Sequence, residues 1–393
     1  MRRNKKAAVM VISALVLSLC GCGKKGASGK DGLNILQDKD VAKKVEEING
    51  YIDDEFYFEV DREKQEEAIY DGILAGLDDP YSRYYNSEEL AEVLEDTSGK
   101  YVGIGAYVTQ YTDYSIYVVR PIRESPAAEA GLMPEDRIVE VDGEEIADQD
   151  LSLVVEKIRG QENTVAHIKV YRESIKDYIE FDITRREVEN YSVDYEMLEG
   201  NIGLVTISSF NDNTTDEFIK AVDDLTAAGA KSFIFDLRDN LGGLVSAAAN
   251  ICDYVMDSGL IVCTKDKNGK VLSEYRDKEE HSINVPIVLL VNENSASAAE
   301  IMTGALKDSG KAVLVGCNTF GKGIVQSIIP LSDGTAIKIT IAKYFTPSGY
   351  ELHGKGIAPD YEVKLPEDRI SSSGLERDKD TQLAKAIELL KDK

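Results

Sequence analysis

The run Lys231-Ser232-Phe233-Ile234-Phe235-Asp236-Leu237-Arg238-Asp239-Asn240-Leu241-Gly242-Gly243 passes from aromatic and β-branched residues into a polar turn that ends in two glycines. Bounded in this way, 231–237 reads as a buried strand, and the Ala-rich 245–255 that follows reads as a helix. The plan recurs at 285–291, where an apolar strand passes through Asn292-Glu293-Asn294 into a helix over 295–306. Two strand-turn-helix units predict an α/β core with a largely buried sheet. Outward from them, 201–207 adds a strand before, and 323–331, an Asp333-Gly334 turn and 335–344 add two strands after. No internal repeat is visible.

Few residues in this core could carry chemistry. Three His are present, and their settings suit a Ser-His-Asp triad poorly: His167 lies in a strand outside the core, His281 in a charged loop, His353 in a Gly-rich loop. Only His353 is near the core's motifs in sequence. Ser297 lies just after the second strand in Ser295-Ala296-Ser297-Ala298-Ala299-Glu300, among small neighbours that leave space above its hydroxyl. A helix N-terminus there stabilises negative charge, and N–H groups of the turn can reach a developing oxyanion. From these residues alone, Ser295 or Ser297 as a plain N-cap is the simpler interpretation. The segment Phe320-Gly321-Lys322-Gly323-Ile324-Val325-Gln326 shifts the balance. A lysine between glycines before an apolar strand is oddly placed for a solvated charge. It acts as a general base only when neutral, which burial promotes. Gln326 could orient the amine, but on a straight strand the two side chains would stand ~13 Å apart, so contact requires that Gly323 turn the chain.

Residues 34–96 read as helices: Val41, Val45, Ile48 and Ile52 recur at helical steps, 68–77 forms a second stripe, and Ser87 opens a third as its cap. Between them Leu77-Asp78-Asp79-Pro80-Tyr81-Ser82 reads as a breaker without evident chemistry. From 97 to 187 short strands with Gly and Asp-Gly turns follow one another. The order Tyr101-Val102-Gly103-Ile104-Gly105-Ala106, Ser125-Pro126-Ala127-Ala128-Glu129-Ala130-Gly131-Leu132, Asp136-Arg137-Ile138 and Val141-Asp142-Gly143 resembles a PDZ domain. Gly103 and Gly105 let backbone N–H groups form a nest for a terminal carboxylate, and the strand from Ala106 offers an edge for an extended peptide. Val102, Gly103, Ile104, Gly105 and Ala106 are therefore the candidate peptide-binding residues.

Together with Leu77–Ser82, Asp236–Gly243, Ser295–Glu300, Phe320–Gly323 with Gln326, and Thr346-Pro347-Ser348-Gly349, the PDZ-like motifs resemble the bacterial C-terminal processing peptidases, the tail-specific Ser-Lys proteases of peptidase family S41. The resemblance runs from the first helices to about Pro366. It implies Ser297 as nucleophile, Lys322 as general base and Gln326 as the residue that orients it. The family's Ser-to-Lys spacing is met by Ser297 and not by Ser295. An oxyanion hole from N–H groups of Gly242 or Gly243 and Ala298 is implied, as is a crotonase-like fold for the core. One departure is Leu241, where the family usually has Pro. Cofactors and metals are not implied. Regulated members of the family imply an unliganded enzyme held inactive until peptide repositions the PDZ domain. Arg159, in Lys157-Ile158-Arg159-Gly160, is the candidate relay, although a helix-end surface charge explains it equally well.

The fold class expected is multidomain α+β: a signal peptide over 1–21, a tether over 22–33, N-terminal helices over 34–96, a PDZ domain over 97–187, the peptidase core over 188–368 and a charged tail with a last helix over 369–393. Among 393 residues, 45 Lys and Arg stand against 71 Asp and Glu, for a net charge of -26. So acidic a surface repels phosphate backbones, which excludes nucleic acid as a natural partner. At the N-terminus a basic start, the apolar run 7–19 and Leu19-Cys20-Gly21-Cys22 resemble a bacterial lipoprotein signal, with Cys22 as the lipidated residue. Thirteen apolar residues are too few to span a bilayer comfortably. The expected location is the outer face of the cell membrane, the expected partners are proteins or peptides with free C-termini, and the terminal helices are candidates for self-association. Cys252, Cys263 and Cys317 fit no metal spacing, and a Cys252–Cys263 bridge is left open. The rival interpretation is an inactive, lipid-anchored PDZ scaffold.

Overall fold

In a computed structural model the described residues are 38–278, 280–366, 370–371, 374–375 and 377–391. The signal, Cys22 and the tether lie outside them. The chain divides after Lys64 into two compact units. In the first, helix α1 (Lys39–Glu55) is capped by Asp38, whose carboxylate accepts the Asp40 N–H. It buries none of its residues within this unit; Ile48 and Tyr51 are exposed.

Helix α2 (Arg62–Ala75) leads into the second unit, followed by strand β1 (Arg83–Tyr85) and α3 (Ser87–Ser98). The cap of α3 is Asn86, one residue before the Ser expected. Asn86 Oδ1 accepts the Glu89 N–H and the Glu89 carboxylate accepts the Asn86 N–H, a reciprocal box that Asn forms as well as Ser.

Next come β2 (Lys100–Gly103), β3 (Ala106–Gln110), β4 (Ile116–Pro121), α4 (Pro126–Ala130), β5 (Arg137–Val141), β6 (Glu144–Glu145), α5 (Leu151–Ile158), β7 (Val165–Arg172), β8 (Asp177–Thr184) and β9 (Arg186–Glu189). Strands β3, β4, β5, β7 and β8 form an antiparallel sheet in that order, with β6 on β5, while β2 pairs with β9. Their inward residues Ile116, Val118, Ile138, Ile168 and Val170 pack on Val154 and Ile158 of α5. Among the described residues β3 has one paired side, so its other edge is open.

The strands that follow are β10 (Val193–Leu198), β11 (Ile202–Ile207), β12 (Ser232–Asp236), β13 (Leu260–Lys265), β14 (Val271–Arg276), β15 (Ile287–Val291), β16 (Ala312–Gly316), β17 (Ile324–Pro330), β18 (Ala336–Phe345) and β19 (Tyr361–Glu362), and then a short pair, β20 (Ile370–Ser371) and β21 (Gly374–Leu375). The helices are α6 (Thr214–Ala227), α7 (Val245–Val255), α8 (Ala298–Asp308) and α9 (Thr381–Lys391). One sheet runs β10-β11-β12-β15-β16-β19 and is parallel from β11 onward. Strands β12 and β15 are buried at every position, as befits a sheet covered on both faces. Helices α6, α7 and α8 contribute to the cluster on one face, and Leu383, Ala386 and Leu390 of α9 to the cluster on the other. A second sheet carries β1, β18, β13 and β14 in order with β17 on β18, and its β13–β14 hairpin was not anticipated. Cys252 and Cys263 are buried free thiols.

Candidate active site

Because β12 and β15 are parallel neighbours, the turns that leave their C-terminal ends meet at one place, where open α/β sheets bind ligands. Side chains lock the turns together. The Asp239 N–H donates to Asn292 Oδ1, and Asn292 Nδ2 donates back to Asp239 Oδ1, both at 2.9 Å. Fully buried Asn240 donates through Nδ2 to the Ile207 carbonyl and accepts the Gly242 N–H at Oδ1, both at 2.8 Å. Its own carbonyl accepts the Ala296 N–H at 2.9 Å. Gly242 adopts φ 105°, and a Cβ there would stand 2.8 Å from Ser297 Cβ, so only glycine fits beneath the second turn.

The two serines have different fates. Ser295 is fully buried, with Oγ donating to the Leu237 carbonyl at 2.7 Å and accepting the Asn292 N–H at 3.0 Å; it is structural. Ser297 is partly exposed and has φ 56° and ψ -113°, a conformation that non-glycine residues occupy only where the surroundings compel it. What compels it is Glu300. The Ser297 N–H donates to Glu300 Oε2 at 3.0 Å, and so does the Lys322 N–H at 2.8 Å. Glu300 Oε1 takes the Gly321 N–H at 2.7 Å and the Thr319 hydroxyl at 2.6 Å. Burial raises the Glu300 pKa, and these four donors oppose that by favouring the carboxylate. On the opposite side the buried Tyr344 hydroxyl lies 2.8 Å from the Ser297 carbonyl oxygen and 2.6 Å from that of Lys322, and donates between them. Burial first, and the Glu300 charge second, hold the Tyr344 phenol protonated. The amides and the carbonyls of Ser297 and Lys322 are thus fastened by one carboxylate and one phenol.

The Lys322 side chain is half-buried, and its ammonium stands 4.6 Å from the centre of the Tyr81 ring. Among the described residues it makes no hydrogen bond or ion pair. Burial pushes its pKa below the ordinary lysine value, the nearby Lys338 charge adds to that, and Asp79 and Glu300 oppose it. Gln326 does not reach Lys322: its amide donates to Thr340 Oγ1 at 3.3 Å across the β17–β18 pair. The turn expected at Gly323 is not found: Gly323, packed closely against the His353 backbone, runs directly into β17, which carries Gln326 toward β18. Thr340 is tied onward through its N–H to Ser82 Oγ at 3.2 Å, and Ser82 donates to Asp79 Oδ2 at 2.6 Å. The segment 77–82, interpreted as a breaker, therefore covers the site. Of the histidines, His353 alone is near, and its Nδ1 is buried without a partner.

For the oxyanion donors, the Gly242 N–H is taken by Asn240, whereas those of Gly243 and Ala298 have no acceptor among the described residues. Large apolar side chains flank the site, with Leu241 and Phe320 both exposed.

In the PDZ-like sheet, Val102 and Gly103 sit in the β2–β9 ladder and Ala106 begins β3 opposite Pro121. The carbonyls of Ile104 and Gly105 accept the Ala127 and Ile122 N–H groups at 2.7 and 2.9 Å. Their own N–H groups have no acceptor among the described residues. These line a cavity of about 210 Å³ with Ile122, Val155, Ile158 and Arg159.

A turn-borne serine on a strained backbone, fastened to a half-buried lysine, defines a class of serine hydrolase. Comparison with known proteins identifies which. Residues 201–363 match peptidase family S41 and residues 117–172 match a PDZ domain. The chain is 36% identical over 337 residues to a CtpA-like serine protease of Staphylococcus saprophyticus, covering 85% of this chain and 68% of that protein. Against the corresponding protein of Staphylococcus aureus strain N315 the identity is 37%, covering 85% and 67%. Among solved structures, the photosystem II D1 C-terminal processing protease matches at 29% identity with a TM-score of 0.50, over 82% of this chain and 88% of that one. A Bacteroides fragilis S41 protease at 18% identity and TM-score 0.56, over 81% and 87%, shares the fold. The chain belongs to the S41 peptidases with a PDZ domain.

Sequence reasoning missed Glu300, Tyr344, Asn240 and Tyr81 as parts of the site. Glu300→Gln keeps the shape but turns an NH₂ toward two N–H or O–H donors. It is expected to lower kcat roughly 10²-fold, the effect of a misplacement of about 1 Å, and stability by about 1–3 kcal/mol. Steady-state kinetics beside thermal unfolding checks this; a folded variant with unchanged kcat contradicts it.

Proposed function

We propose that this protein is an exported endopeptidase, lipid-anchored at Cys22 on the outer face of the cell membrane, that binds protein C-terminal tails through its PDZ domain and cleaves them with a Ser297–Lys322 dyad in a crotonase-like core. The observation that carries the reading is the joint fastening of Ser297 and Lys322 by Glu300 and Tyr344. An inactive scaffold would have no need to hold these two backbones together on one buried carboxylate.

In the proposed reaction neutral Lys322 takes the Ser297 proton as Oγ bonds to the substrate carbonyl carbon. The carbonyl oxygen becomes an oxyanion held by the Gly243 and Ala298 N–H groups. As the tetrahedral species collapses, the C–N bond breaks and the Lys322 ammonium returns its proton to the leaving amine. A water then attacks the acyl ester, giving its proton to Lys322, and Ser297 is released with its proton restored. For this to begin, the Lys322 amine must leave the Tyr81 ring, whose face favours the charged form. Gln326 serves as the orienting residue only if it exchanges Thr340 for Lys322 on substrate binding. Such a rearrangement accords with a PDZ domain that activates the core through Arg159.

Two experiments test the reading. The full chain is incubated with a labelled peptide ending in a free carboxylate and with its C-terminal amide. The carboxylate form is expected to be cleaved faster, and Ser297→Ala is expected to abolish cleavage of both; activity surviving Ser297→Ala removes the nucleophile assignment. The second experiment is a pH profile. Activity rises as pH rises through the Lys322 pKa, because the neutral amine is the base. Since the Lys338 charge helps depress that pKa, Lys338→Gln is expected to move the rising limb to higher pH, and a limb that stays or moves lower contradicts the role of Lys322.

A further inference from the structure

The cavity along the open edge of β3 is walled by more than the PDZ sheet. On one side stand the apolar residues Ile104, Ile122, Val155 and Ile158; on another stands α3, which precedes the PDZ sheet in the chain. A carboxylate-ended peptide added along β3 would meet two kinds of positive partner here. The first is the pair of N–H groups of Ile104 and Gly105. The second is the guanidinium of Arg159, the C-cap residue of α5, which lies 5.3 Å from the centre of the Tyr101 ring.

That guanidinium already has a carboxylate. Arg159 Nη1 donates at 2.9 Å to Glu95 Oε2 on α3, a residue 64 positions earlier in the chain. Both side chains are partly sheltered, Glu95 at 29% exposure and Arg159 at 41%. Charge-assisted bonds of this kind are the ones a ligand carboxylate would make. A guanidinium has donors enough for two carboxylates, but two anions held on one cation repel each other. A terminus reaching Arg159 is therefore disfavoured for as long as Glu95 holds it. The helix that carries Glu95 is also bonded to the core, where the Asp212 N–H donates to the Thr97 carbonyl at 3.1 Å. Glu95 is thus a fixed part of the groove rather than a loose surface charge.

We propose that Glu95 is an internal competitor for the substrate's terminal carboxylate at Arg159, so that α3 sets the affinity at which the PDZ groove accepts a C-terminus. The proposal rests on the groove's being a carboxylate site. Relief of a partly exposed ion pair is small, so removing the competitor strengthens binding about two- to fivefold.

The test is fluorescence anisotropy with the full chain carrying Ser297→Ala, so that binding is read without turnover. The probes are a labelled decapeptide ending in Val with a free carboxylate, and the same peptide as its amide. Glu95→Gln is expected to tighten the carboxylate peptide about two- to fivefold and leave the amide unchanged. Glu95→Lys is expected to act in the same direction, which guards against a local packing effect of one variant. Glu92→Gln, a loss of the same charge on the exposed face of α3, is expected to change neither peptide. If the wild-type groove binds carboxylate and amide equally, the carboxylate reading itself falls and this proposal with it. If the wild type discriminates and Glu95→Gln alters both peptides alike, alters neither, or weakens the carboxylate form, the proposal alone is overturned.

Discussion

One buried carboxylate holds the proposed catalytic geometry. Glu300 has no exposed surface and accepts four hydrogen bonds, from Ser297, Thr319, Gly321 and Lys322. A charged group in such a place is costly unless its donors are all present, so the turn before α8 and the loop before β17 cannot shift independently without leaving it unpaired. Tyr344, delivered by β18, completes the arrangement by bridging the carbonyls of the same two residues. The strained φ of Ser297 is then a consequence: the backbone is bonded on both its amide and its carbonyl, and the hydroxyl lies outside those bonds.

The rest of the core is arranged to keep this junction rigid. Arg238, just past β12, pairs with Asp236 at 2.6 Å and with Asp380 at 2.9 Å, which ties the glycine turn to the start of α9 on the far face of the sheet. Asn240 joins β11, the glycine turn and the Ser297 turn. Rigidity in the backbones contrasts with the side chains, for Lys322 rests on Tyr81 and Gln326 on Thr340. In this structure the backbones of Ser297 and Lys322, the proposed dyad, are fastened, while the Lys322 and Gln326 side chains are engaged elsewhere.

Much of this was legible in the sequence and some was not, for physical reasons. The α/β core followed from apolar runs ending in polar turns, because fully buried parallel strands such as 232–236 and 287–291 must be apolar throughout. Ser297 and Lys322 stood out by their neighbours, a cluster of small residues and a pair of glycines. Glu300 did not, because an acid in the first turn of a helix ordinarily serves the helix itself; its other three donors come from 19 to 22 residues away. Tyr81 was hidden in the same way: Asp79-Pro80 lies in the link between α2 and β1, and only the β1–β18 pairing brings that link over the lysine. Gln326 was expected on Lys322 from the family resemblance, against a strand spacing that sets the two apart, and the partner strand, where Thr340 lies directly opposite, takes its amide instead. The Asn86 cap shows the smaller form of the same limit, since Asn and Ser both serve and the backbone chooses.

The central claim, that Glu300 and Tyr344 act as one clamp on Ser297 and Lys322, is tested most directly by a double-mutant cycle on the single-turnover rate of Ser297 acylation. Wild type, Glu300→Gln, Tyr344→Phe and the double variant are compared at a pH where each is folded. A clamp that works as a unit predicts a large loss in each single variant and a combined loss well short of their product. Losses that multiply independently, or single variants that acylate at the wild-type rate, would contradict it.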